Sequence, residues 1–232
     1  MENKKELVAC EESQAVTKEF RKLGFEAYSC DLKDCSGGHP EWHLKGSVFD
    51  FIDTMNFDLM IAHPPCTYLT ITGNKWMKPE YESRFPTRKQ DREDAVEFFM
   101  KLYNSKIEHI AIENPVGIMS TRLKKADQII QPYFFGDEAM KLTALWLKNL
   151  PKLVHQKEPD LFSGEVTHVS KGEQVTFKSG KKMAKWYVDA AKLNPYDRAE
   201  IRSKTFNGIA KAMAEQWGGY ITHKSVGKIL PN

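Results

Sequence analysis

The chain has 232 residues, 41% of them hydrophobic and 28% charged, the proportions of an ordinary soluble globular protein with room for one sizeable core. Its net charge of +3 permits a phosphate-bearing partner without demanding one. No apolar run reaches the roughly 18 residues needed to span a bilayer, so membrane insertion is not expected. The N-terminal MENKKELVAC lacks the apolar stretch of a signal peptide. Four cysteines, Cys10, Cys30, Cys35 and Cys66, are too sparse for a disulfide framework, so a reducing, cytoplasmic setting is expected.

In chain order, Glu6 to Cys10 reads as a short buried strand. Ser13 to Leu23 reads as an amphipathic helix carrying Val16, Phe20 and Leu23 on one face, closed by Gly24. Phe25 to Cys30 is a second strand, ending at Asp31, and a polar, glycine-containing stretch follows from Lys33 to Lys45. Phe57 to Ala62 is a continuous apolar strand that runs into His63-Pro64-Pro65-Cys66. Arg88 to Tyr103 places Ala95, Phe98, Phe99 and Leu102 at helical spacing. His109 to Ile112 is another buried strand, leading into Glu113-Asn114-Pro115, and Leu142 to Leu147 is one more. Apolar strands alternating with helices argue for an α/β fold, a mostly parallel sheet with helices on both faces.

After Pro151 the pattern changes. Residues 165–169 and 175–177 read as the two strands of a hairpin in a lysine-rich stretch, and Arg198 to Trp217 reads as one helix. The expected organisation is a core over residues 1–154, a small lysine-rich hairpin insertion over 155–197, and a C-terminal helix over 198–232 that returns to the core.

Two strand ends carry the chemistry. The two prolines before Cys66 fix the backbone and remove two amide donors. They hold the thiol at the carboxyl edge of the sheet, where open α/β folds bind ligands. A rigid, exposed cysteine is a candidate for covalent catalysis, whereas a lone cysteine of this kind is more often a buried residue near a turn. Glu113 at the next strand end offers a general acid or hydrogen-bond partner; it also suits a helix cap, with Pro115 as helix starter.

Pro64-Pro65-Cys66 and Glu113-Asn114, in this order and on these strands, resemble the nucleophile and Glu-Asn-Val motifs of the cytosine carbon-5 methyltransferase family. The resemblance covers about 150 residues, and it implies a Rossmann-like fold that uses S-adenosylmethionine. It implies that Cys66 adds to carbon-6 of cytosine, that Glu113 assists at ring nitrogen N3, and that carbon-5 receives the methyl group. Cofactor contacts then fall on Cys10, Glu11, Glu12, Ser13, Asp31, Ser47 and Pro64, with Asp31 in the place of the ribose-binding acid. Pro65, Asn114, Lys141 and Thr143 fall on the substrate side. At the C-terminus, Thr205-Phe206-Asn207-Gly208-Ile209-Ala210 resembles the family's last motif, which folds back onto the cofactor site.

The departures are equally specific. The family's glycine-rich first loop falls on Cys10-Glu11-Glu12-Ser13-Gln14, which has no glycine. Glu11 or Glu12 could meet the cofactor's ammonium or sulfonium, while Glu12 or Ser13 could equally be only a helix cap. Ser47 stands where the family has an adenine-binding Asp, and Lys141 and Thr143 stand where it has two arginines. The large target-recognition region of DNA-directed members is replaced by residues 152–197. Such shortened proteins resemble those encoded by phages, which would act in a host cytoplasm, on DNA or on a free deoxycytidine nucleotide (dCMP or dCTP). Lys171, Lys178, Lys181, Lys182 and Lys185, with Trp186 and Tyr187, could track a phosphate backbone, or could be a solvated hairpin. No metal site is expected, because the spacing of Cys30, Cys35, His39 and His43 matches no standard zinc pattern. The rival from another class is an inactive nucleotide- or DNA-binding protein with a decayed methyltransferase fold. Sequence sets no oligomeric state.

Overall fold

The computed structural model describes residues 4–159 and 166–227. Strand β1 (Lys5–Ala9) leads through a sharp turn into helix α1 (Ala15–Lys22), and strand β2 (Glu26–Asp31) follows. Gly24 ends α1 with φ +85, a left-handed conformation in which an added Cβ would be strained. Then come β3 (His43–Lys45), α2 (Val48–Thr54), β4 (Leu59–Ala62), α3 (Arg88–Tyr103), β5 (His109–Asn114) and the single turn α4 (Met119–Arg122). Strands β6 (Gln128–Ile130) and β7 (Thr143–Lys148) complete one seven-stranded sheet in the order β3-β2-β1-β4-β5-β7-β6.

Five of these strands are parallel neighbours, and β7 runs antiparallel between β5 and β6. The helix–strand alternation held no signal for that reversal, nor for the three-residue β6. Strand residues alternate between two cores, as a period of two requires. Val8, Ile61, Ala111 and Leu145 point to one side with Phe20, Met213 and Trp217. Leu7, Met60, Ile112 and Trp146 point to the other with Ile52, Phe99 and Leu102. A sheet covered on both faces explains why β4 and β5 read as unbroken apolar runs.

The C-terminal third departs from expectation twice. The hairpin pairs β8 (Gln174–Thr176) with β9 (Lys182–Ala184). Residues 166–169 form no strand, and Glu165 lies outside the described residues. The expected single helix is instead broken: α6 (Pro195–Ser203), which packs on α5 (Lys185–Ala190), ends in an extended stretch around Lys204–Phe206, and α7 (Asn207–Ala212) then begins. One wide π turn, Met213–Trp217, joins α7 to α8 (Gly218–Gly227). Asn194 caps α6 by accepting from the Tyr196 and Asp197 amides, with Pro195 as its first residue. No helix of the described residues is long and apolar enough to cross a membrane.

Candidate active site

The order of the sheet reverses between β1 and β4, and in open α/β folds the crevice at that switch point is the usual ligand site. Cys66 lies four residues past the end of β4, and Glu113 is the next-to-last residue of β5, the neighbouring strand in the sheet. Because β7 is antiparallel to β5, its first residues reach this same edge, with Asn114 opposite Ala144 and Glu113 opposite Leu145. That reversal brings Lys141 to the site.

The two motif loops are stitched together. The Asn114 amide donates to the Pro64 carbonyl at 2.8 Å, inside the protein. The backbone of Thr70, after the nucleophile, bridges Gly117, after the carboxylate, and the Ile118 amide donates to the Leu69 carbonyl at 2.9 Å. A Cβ on Gly117 would lie 2.0 Å from that carbonyl oxygen, so only glycine allows the loops to approach this closely. The Leu69 and Thr70 amides both donate back to the Cys66 carbonyl, which ties the nucleophile turn off directly behind its cysteine. Arg92 of α3 braces the loop from behind, donating to the Tyr68 carbonyl and to Asn74 Oδ1.

Cys66 is exposed. Partial burial of its thiol and the charge of Glu113 raise its pKa above the ordinary thiol value, while Lys141 pulls it back. The resting thiol is therefore protonated near neutrality. Cys10, in the first loop at this edge of the sheet, is pushed up to about 12, by burial first and then by the charges of Asp31 and Cys30. Only Cys66 combines exposure with a cation close by.

Glu113 is buried, and burial alone would raise its carboxyl. Lys141 and the imidazole of His63 outweigh this and hold it at about 2. Its Oε2 lies 2.9 Å from His63 Nδ1. The resting carboxylate is ionised, so of the two roles open to it from sequence, hydrogen-bond acceptor fits and standing proton donor does not. Thr143 is a correction: it is buried, and its hydroxyl donates to the Lys141 carbonyl instead of facing a substrate. Lys141 reaches across to donate to the Lys204 carbonyl at 3.1 Å. Pro64 is buried and Pro65 exposed beside Cys66.

In the first loop, Cys10 supplies the left-handed turn (φ 60) where the resemblance calls for glycine. Glu11 is a second correction. It is buried, and its carboxylate accepts from the Val16 and Thr17 amides and from the Thr17 hydroxyl. It caps α1, so both oxygens are already engaged by the helix start. Glu12 accepts from the Ser36 hydroxyl, and Gln14 bonds the backbone of His39 in both directions. The loop is thus held by the Ser36–His39 segment. Asp31, at the end of β2, accepts from the Lys33 amide and makes no salt bridge among the described residues. Ser47 stands at the start of α2 with its hydroxyl making no capping bond. A cleft of about 670 Å³ runs from Ser13, Ser36 and Gly37 to Thr205, Asn207 and Gly208, joining the first loop to the segment before α7.

Sequence reasoning missed His63, although it stands one residue before Pro64. A histidine ending an apolar strand carries no motif of its own, and only the sheet shows that β5 brings Glu113 beside it. Trp186 and Tyr187 are not free stacking surfaces, since Trp186 packs on Phe206 and the Arg202 guanidinium lies 3.7 Å over the Tyr187 ring. The exposed basic residues after the nucleophile gather instead on an aromatic cluster of Trp76, Tyr81 and Phe85, with Lys75 4.3 Å from the Trp76 ring.

No protein-family model matches the chain, and no curated protein does. Among solved structures it is similar to the Entamoeba histolytica methyltransferase EhMeth, with a TM-score of 0.51 and 10% identity over 97% of this chain and 99% of that one. With the strand order and the reversed β7, this likeness establishes a Rossmann-like methyltransferase fold.

Proposed function

We propose that this protein is an S-adenosylmethionine-dependent methyltransferase acting at carbon-5 of cytosine, through a covalent bond from Cys66. The observation that carries this reading is the convergence of an exposed thiol and an ionised, hydrogen-bonded carboxylate at adjacent strand ends. Two further features support it: the tie from Asn114 to the Pro64 carbonyl, and the cation, Lys141, near both groups.

The residues present fit the cofactor at its ribose end, where Asp31 offers a carboxylate with no salt bridge among the described residues at the tip of β2. Cys10 provides the turn that a glycine would give, and Ser13, Ser47 and Asn207 supply neutral polar groups. Glu11 serves the start of α1. When bound, the cofactor supplies an electrophilic methyl group to carbon-5.

The protein's own part begins with the Cys66 thiol losing its proton to solvent. The sulfur lone pair then forms a bond to carbon-6. The carbon-5–carbon-6 π pair moves to carbon-5, and N3 takes a proton from solvent. The Glu113 carboxylate accepts from the exocyclic amino group and from the new N3–H, which stabilises the charge on the ring as it develops. After methyl transfer, the carbon-5 proton leaves to water. Its electron pair restores the double bond and expels Cys66 as thiolate, and N3 returns its proton to solvent, leaving the neutral methylated base. Uracil would turn its O4 toward the carboxylate, so this pair selects cytosine.

Labelled S-adenosylmethionine offered in parallel with duplex DNA, single strands, RNA, dCMP and dCTP tests the reading. At least one cytosine substrate should be labelled by the wild type and none by Cys66→Ser, whose exposed position leaves the fold intact. Methyl transfer by Cys66→Ser would overturn the covalent route. Binding of cofactor without transfer to any substrate would favour the rival reading of an inactive binding protein.

A further inference from the structure

His63 has no place in the steps above, yet it is the direct partner of the group that would grip the base. Its ring is largely buried, and Nδ1 lies 2.9 Å from Glu113 Oε2. An ionised carboxylate has only acceptors, so the proton in this contact sits on Nδ1. The ring's other nitrogen, Nε2, is buried with no hydrogen-bond partner among the described residues. Leaving a buried polar atom unpaired costs stability, so packing alone is a poor reason for an imidazole here. The backbone fixes the ring's origin, because the His63 amide donates to the Ala9 carbonyl at 2.9 Å, and the rigid Pro64-Pro65 follows. No hydrogen bond reaches Glu113 Oε1 among the described residues, and that oxygen is not sealed from solvent.

We propose that His63 is a positioning residue for Glu113, its Nδ1–H clamping Oε2 so that Oε1 is held free to receive the amino group of the target base. This rests on the cytosine reading given above. The clamp removes the free rotation of the carboxylate about its last torsion, which would otherwise have to be frozen when the base binds. It also fixes the polarity of the contact. With Nδ1 committed as donor, Glu113 presents an acceptor to the ring, which suits cytosine and opposes uracil. Three groups face the Glu113 carboxyl: His63 from the end of β4, Lys141 from the segment before β7, and the Cys66 thiol. Among the described residues, only His63 touches it by a hydrogen bond.

The test uses the full chain labelled with ¹³C-glutamate, with the Glu113 resonance assigned from Glu113→Gln. In the wild type this carboxyl should stay ionised to well below pH 4. In His63→Leu its midpoint should rise by at least one pH unit, a tenfold lower proton concentration, and His63→Asn, whose amide nitrogen takes the place of Nδ1 and can still donate, should restore most of the difference. Should the leucine variant fail to fold, His63→Phe takes its place, a ring of similar shape with no donor. With the best substrate of the panel, the acid limb of kcat/KM should shift in step with the titration, and discrimination against the uracil analogue should fall at least tenfold. An unmoved titration in His63→Leu, or a moved titration with unchanged discrimination, overturns the proposal. If the wild type methylates nothing, the functional reading fails, while the carboxyl titration still decides whether His63 holds Glu113.

Discussion

Replacing Glu113 by Gln probes the electrostatics of the site without any assay of activity. The carboxyl is held at about 2 against its usual 4.5, by Lys141 and His63 acting against burial. Each tenfold change in a proton equilibrium is worth about 1.4 kcal/mol, so the ionised form adds about 3 kcal/mol to stability near neutrality. Glutamine keeps an oxygen that can accept from His63, which returns about 1 kcal/mol. The variant should therefore be about 2 kcal/mol less stable at pH 7, a Tm lower by about 4–8 °C for a chain of this size. The sign of the pH dependence follows from the depressed value. The stabilisation is fully present above the unfolded value of 4.5 and is lost as pH falls toward 2, because the unfolded state takes up its proton first. Urea unfolding of both proteins between pH 7 and 3.5 should show a constant gap down to about pH 5, and a narrowing of about 1 kcal/mol by pH 3.5. A glutamine variant as stable as the wild type at pH 7, or a gap that does not change with pH, would refute the electrostatic account of this pair.

Because Cys66 is held above the ordinary thiol value by burial and by Glu113, methyl transfer should keep rising with pH past neutrality; a rate profile flat from pH 7 to 9 would contradict this. Asn114→Ala removes the buried bond to the Pro64 carbonyl and should cost about 1–3 kcal/mol in chemical denaturation, with a larger fractional loss of methyl transfer than of cofactor binding. Glu11→Ala strips the carboxylate that caps α1 and should destabilise the fold by about 1–2 kcal/mol. Its cofactor affinity should otherwise be intact, as titration calorimetry would show, and selective loss of that affinity would return Glu11 to the cofactor site.

The sequence by itself determined the frame. The apolar runs at β1, β4, β5 and β7 could only be strands buried on both faces, because no other short element hides so many aliphatic side chains without a polar stripe. The spacing of Ala95, Phe98, Phe99 and Leu102 marked α3, whose boundaries agree with those read from the pattern. Pro-Pro-Cys and Glu-Asn stood out because two prolines fix a thiol just past one strand end and a carboxylate closes the next, at the edge where open α/β folds bind ligands. Tertiary structure alone decided which groups meet. The antiparallel course of β7 places Lys141 beside Glu113, and sequence carries no direction for a strand. The pairing of β4 with β5 puts His63 against Glu113, a contact across 50 residues that no local pattern encodes. The same holds for Glu11, which reads as a free carboxylate until α1 turns back and offers it two amides and a hydroxyl. Local propensity writes the elements; the charges of the site take their values from neighbours that only folding assembles.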